Sequence, residues 1–172
     1  MSPLLAPPPA DRTLFFARAA FLALLISHVG FSLVGWSHGL LPGQEFRQTQ
    51  TAISSLFIQR ESNFALSYPT PILGKPWSAP MEFPLYQWAV VGVSNLTKLP
   101  LAPSARVVSL ASFYLIFPAL FLLLGRSGVR PAHRWIALSV ILLGPIYVFY
   151  SRAFMIESMA LMASVWFLAA LV

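Results

Sequence analysis

Residues 125–134 read GRSGVRPAHR, three arginines and a histidine in ten positions, flanked on both sides by long apolar runs. How this loop is oriented decides the fold. The chain around it has 172 residues, of which 58% are hydrophobic and only 9% charged, with a mean hydropathy of +0.74. Soluble domains carry about 25% charged residues, so this chain cannot cover a globular surface with water-compatible groups. It is expected to be an all-α integral membrane protein. Its apolar runs cover residues 14–36, 104–124, 135–150 and 155–172, with an ambiguous fifth at 83–96.

Basic loops stay in the cytosol, which places 125–134 there together with Arg12 and Arg18. An even number of crossings must then separate the two. Run 14–36 goes out and run 104–124 comes back, so 83–96 should not cross. Its 14 residues make only ~21 Å of helix against a ~30 Å hydrocarbon core, and it is expected to lie at the outer surface. This gives a polytopic bundle of about four spans, a cytosolic tail at 1–13 and an external loop at about 37–103. The last run is short and lacks a flanking basic residue. The chain is therefore expected to be a fragment of a longer polytopic membrane protein.

The net charge of +6 is scattered among apolar runs. A nucleic-acid binder would gather it on one face, so no nucleic-acid partner is expected. Cysteine is absent, which excludes disulfides and thiolate metal sites. His28, His38 and His133 are too dispersed to share a metal, and His28 falls inside the first run.

Within the external loop, Phe46, Ile53, Leu56 and Phe57 recur at helical spacing opposite Arg47, Gln48, Gln50, Ser54 and Gln59. That pattern predicts an amphipathic interfacial helix over 45–60. Glu45 falls in its first turn, where the helix dipole favours a carboxylate. Prolines at 69, 71, 76, 80 and 84 rule out a regular helix or central strand over 64–84. The candidates for chemistry are Glu45 with Arg47, Lys75, Glu82, and Arg152 with Glu157. Each has an ordinary reading too: Glu45 and Arg47 as solvated charges, Lys75 as a headgroup contact, Glu82 as a helix cap, Arg152 as a snorkelling side chain. Glu157 sits within an apolar run, where an ionisable group points to function.

Four stretches carry a family resemblance: QEFRQTQTAISSLF (44–57), PMEFPLYQWAVVGV (80–93), SARVVSLAS (104–112) and YSRAFMIESMALM (150–162). In this order they resemble motifs of the N-terminal third of GT-C membrane glycosyltransferases, the branch of dolichyl-phosphate-mannose protein mannosyltransferases and bacterial aminoarabinose transferases. The resemblance covers about residues 14–172 and implies the N-terminal part of a GT-C-like transmembrane domain in a bacterial inner (plasma) membrane, with a polyprenyl-phosphate-linked sugar as donor and a lipid, glycan or protein as acceptor. It implies Glu45 as general base, Arg47, Lys75 and Arg152 as cations for the lipid phosphate, and Glu82 beside the substrate. Glu157 becomes the second acid, orienting the acceptor or holding a divalent metal where a family member uses one. The chain departs from the pattern at Glu82, where aminoarabinose transferases have a lysine, and at Phe46, where many members have a tryptophan. A second reading, a non-catalytic lipid-carrier transporter or assembly scaffold, assigns the same charges to headgroup binding.

Overall fold

A computed structural model describes residues 10–68 and 82–172. Among the described residues all regular structure is helical: α1 (Ala10–Leu33), α2 (Glu45–Glu61), α3 (Leu85–Thr97), α4 (Leu101–Arg126), α5 (Pro131–Leu143), α6 (Pro145–Tyr150) and α7 (Glu157–Leu171). Two helices are long and apolar enough to cross a membrane, α1 over Arg12–Leu33 and α4 over its whole length. Helices α5 and α7 are apolar but shorter, 13 and 15 residues, or ~20 and ~23 Å at the α-helical rise. The run expected at 135–150 is not one helix. Pro145 has no amide proton to continue the ladder, and Gly144 turns to an extended conformation (φ −70°, ψ 116°) before α6 begins. A β-carbon at Gly144 would lie 2.9 Å from the Tyr147 ring, so this corner needs glycine.

Side-chain contacts fix how the helices run. Phe21 packs edge-on against Phe117 (5.6 Å between centroids), while His28 Nδ1 lies 3.0 Å from the Tyr114 hydroxyl, so α1 and α4 are antiparallel. Arg18 lies over the Trp135 ring and Ser151 lies beside His28, so α5 and α6 follow α1. Arg126 donates to the Ala169 carbonyl and Trp166 Nε1 to that of Leu115, so α7 follows α4. Phe21, Phe113, Ile116, Phe117, Leu138 and Leu142 form the buried centre of this bundle. The arginines of α1 and of the loop 125–134 thus gather at one end, with α2, α3 and the turn 151–156 at the other.

At that second end α3 is wedged between α2 and α4. Tyr86, Val90, Ala105, Val108 and Phe154 form one cluster, and Ile58, Tyr68 and Val91 another. Helix α2 turns its polar side inward: Gln48, Gln50, Thr51, Ser54 and Ser55 are buried, whereas Phe46 is 73% exposed. Polar groups removed from water need partners. The Ser55 hydroxyl finds one in its own helix, at the Thr51 carbonyl. Tyr86, fully buried on α3, approaches Ser109 Oγ at 2.8 Å, and Ser109 donates in turn to Ala153 O at 2.8 Å. Because Ser109 keeps its own acceptor, Tyr86→Phe should cost only about 1 kcal/mol. Unfolding in detergent measures this, and a loss several times larger would show that the hydroxyl organises more than this pair.

Candidate functional site

The turn that launches α2 depends on Gly43 (φ +91°), whose α-hydrogen side faces the Phe149 ring, and on Gln44 in the left-handed region. Glu45 then begins the helix. Its carboxylate accepts the Gly43 amide at 2.7 Å. That bond, followed by one from its own amide, lowers its pKa below the usual carboxylate value. Glu45 is exposed and so is ionised and accessible at neutral pH. It does not pair with Arg47, because residues two apart on a helix point in different directions.

Arg47 instead reaches two other segments of the chain. Its Nη2 donates to Glu157 Oε1 at 3.1 Å, and its Nη1 lies 3.7 Å from Glu82 Oε1. The side chains of Arg47, Glu82 and Glu157 are 45%, 12% and 34% exposed. Each partner is positioned from its own side. The Tyr68 hydroxyl donates to the Glu82 carbonyl at 3.0 Å and accepts the Glu82 amide at 3.3 Å, which anchors that residue's backbone. Glu157 opens α7, where unpaired amides and the helix dipole favour a carboxylate. Glu82 does not cap α3, since no side-chain hydrogen bond caps that helix.

The second oxygen of each carboxylate, Glu82 Oε2 and Glu157 Oε2, is buried without a hydrogen-bond partner. Burial raises the Glu82 pKa above the usual value; Arg47 opposes the shift and Glu157 adds to it. A carboxyl whose folded pKa is raised stabilises the fold fully below its unfolded pKa, and that contribution is lost as pH rises through the folded value. Glu82→Gln should therefore flatten the decline in stability above about pH 4.5, the ordinary glutamate value. Unfolding free energies of the two proteins compared across pH 4 to about 8 will show it; parallel curves would mean that Glu82 titrates normally.

The remaining candidates fall elsewhere. Arg152 Nη1 donates to Phe31 O (3.0 Å) and Val34 O (2.8 Å), capping the C-terminal end of α1, where a cation complements the dipole. The structure therefore joins Arg47, Glu82 and Glu157 but ties Arg152 to α1. Lys75 lies outside the described residues. Among the described residues no three His, Asp or Glu side chains are grouped to hold a metal. At Glu157 the acidic pair already encloses a guanidinium, which a divalent ion would have to displace.

Two residues of this end were not singled out from the sequence. Gln48, fully buried, donates to Leu41 O (2.8 Å) and Gly43 O (2.7 Å) and accepts from Leu41 N (3.2 Å). Arg106, buried near the start of α4, donates to Trp36 O and Gly39 O. The signal for Arg106 was available, as a charge inside an apolar run. Nothing distinguishes Gln48 from the other glutamines of α2. Next to Glu157, a cavity of about 270 Å³ is walled by Phe113, Tyr147, Tyr150, Ser151 and Leu161.

Compared with known proteins, the chain matches no family model, no curated protein and no solved structure.

Proposed function

We propose that this chain carries the acidic, outward-facing site of a membrane glycosyltransferase that moves a sugar from a polyprenyl-phosphate donor to an acceptor. The observation that carries the reading is the meeting of Arg47 with Glu82 and Glu157, from three separate segments, at the end of the bundle opposite the arginine-rich loop. With that loop cytosolic, the acidic end faces outward. Exposed Phe15, Phe16, Ile26, Phe31, Leu115 and Leu122 along α1 and α4 suit a lipid environment, as does the outward apolar side of α2.

In this reading the ionised Glu45 takes the proton of an acceptor hydroxyl as its oxygen bonds the anomeric carbon. The bond from that carbon to the phosphate oxygen breaks, and polyprenyl phosphate leaves with the electron pair. An anionic leaving group needs cationic stabilisation more than a proton, and the half-exposed Arg47 supplies it. Glu157, whose side chain is partly exposed beside Arg47, orients the acceptor. The apolar cavity beside it suits the first isoprene units of the donor.

The same internal contacts also favour a second reading, a non-catalytic transporter or scaffold, because Arg47 is held by two carboxylates and Arg152 by backbone carbonyls. One experiment separates the two. Membranes carrying the protein from its full reading frame are incubated with polyprenyl-phosphate sugars, and released polyprenyl phosphate is measured. Release is expected, and Glu45→Gln should lower it by roughly 100-fold or more, as for loss of a general base. Absence of release from any such donor favours the scaffold, while undiminished release by Glu45→Gln overturns the role of Glu45 alone.

A further inference from the structure

We infer that the arginine-rich end holds a binding site for an anionic phospholipid, between the first turns of α1 and α5. It rests on the membrane-spanning reading but not on glycosyl transfer. Five arginines gather here, Arg12, Arg18, Arg126, Arg130 and Arg134, while Asp11 is the only acidic residue in 10–18 and 125–134. Three of the five are engaged within the protein. Arg18 lies over the Trp135 ring, Arg126 donates to Ala169 O, and Arg134 donates to Val129 O while stacking over Phe121. The side chains of Arg12 and Arg130 are exposed, and their guanidiniums make no hydrogen bond or ion pair with another described residue.

These two arginines border a built surface. Arg12, Thr13, Phe16, Ala17 and Ile136 line an open groove of about 430 Å³ between the two helices. Arg12 and the Thr13 hydroxyl stand at its outer end, and the apolar side chains continue along the bundle. His133 lies one turn before Ile136 on the same side of α5, and Arg130 immediately precedes that helix. The positive ends of α1 and α5 point the same way, adding their dipoles to the two guanidiniums. A groove that is cationic at its mouth and apolar along its length fits one amphiphile, a phosphodiester headgroup followed by an acyl chain. A basic pocket between helices on the cytoplasmic side is the setting in which anionic headgroups bind. A free phosphate would satisfy the arginines but leave Phe16 and Ile136 unused.

The test is native mass spectrometry of the purified protein with phosphatidylglycerol and phosphatidylcholine of identical acyl chains. Two arginines near the headgroup, each giving about 5-fold, predict a preference for phosphatidylglycerol of about 30-fold. Arg12→Gln with Arg130→Gln should abolish it. Arg12→Lys with Arg130→Lys should retain most of it, which separates charge from misfolding, and Arg60→Gln at the opposite end should leave it unchanged. Excess inorganic phosphate should not displace the lipid. Equal retention of both lipids by the unaltered protein, a preference surviving the double glutamine change, or displacement by inorganic phosphate would each overturn the site.

Discussion

Arg47→Met should cut sugar transfer by about 100-fold or more, the range for removing one charge-stabilising donor from a transition state, while leaving a folded protein. The stability cost follows from what Arg47 touches. Without it, Glu82 and Glu157 face each other with no cation between them, and Glu82 is the more buried of the two. Losing one partner of a buried pair costs about 3–5 kcal/mol and losing an exposed pair about 0–1. The intermediate exposure here places the loss at roughly 1–3 kcal/mol. The decisive comparison is the triple variant Arg47→Met, Glu82→Gln, Glu157→Gln, which removes every charge of the cluster. Neutral partners of similar shape remove the repulsion, so stability should return to within about 1 kcal/mol of the unaltered protein. Transfer should stay low. If activity returns along with stability, the three residues form a structural clasp and the catalytic assignment fails.

The helical architecture was legible because composition and run length are properties of the sequence alone. The start of α2 at Glu45 follows from Pro42–Gly43, a turn-forming pair just ahead of it, and from the spacing of Phe46, Ile53, Leu56 and Phe57, and the helix runs to Glu61. The short, ambiguous run at 83–96 holds one helix of 13 residues, Leu85–Thr97. The division of 135–150 was also written in the sequence, at Gly144–Pro145, but an apolar count passes over a missing amide proton.

The site was legible only in part. Arg47, Glu82 and Glu157 were each among the candidate charges, Glu157 alone standing within an apolar run, yet their meeting depends on how three segments pack, and local spacing carries no such information. Adjacency misled at Glu45 and Arg47: neighbours in sequence diverge on a helix, so Glu45 bonds the preceding turn while Arg47 reaches α7. Arg152, close to Glu157 in sequence, was equally misleading, because the carbonyls ending α1 hold its guanidinium. Gln48 and Arg106 act on backbone groups of the loop after α1, and such partners have no side-chain signature.

Gln48→Leu is expected to be the most damaging single change to stability at this end, although it keeps the side chain's approximate volume. The amide is completely buried and serves both ends of its dipole. Its nitrogen supplies Leu41 O and Gly43 O, and its oxygen receives Leu41 N and, at 3.5 Å, Phe154 N. Leucine leaves these backbone groups without that partner. Each unsatisfied buried group costs about 1–3 kcal/mol, and Gly43 recovers water because it is exposed, so the sum should reach about 3–5 kcal/mol. Thr49→Ala, on the exposed neighbour, should stay within about 0.5 kcal/mol and serves as the control. Denaturant titration in detergent measures both, and a Gln48→Leu protein within 1 kcal/mol of the unaltered one would mean that water replaces the amide. The consequence reaches the site, since Gln48 anchors the start of α2 to Leu41 and Gly43 and, at 3.5 Å, accepts from the Phe154 amide in the 151–156 turn that leads into Glu157. Transfer by Gln48→Leu should therefore fall even where the protein remains folded, because Arg47 lies on the first turn of the helix that Gln48 anchors. Adding Glu157→Gln should then cost less activity than it does in the unaltered protein, the non-additivity expected of residues acting through one contact.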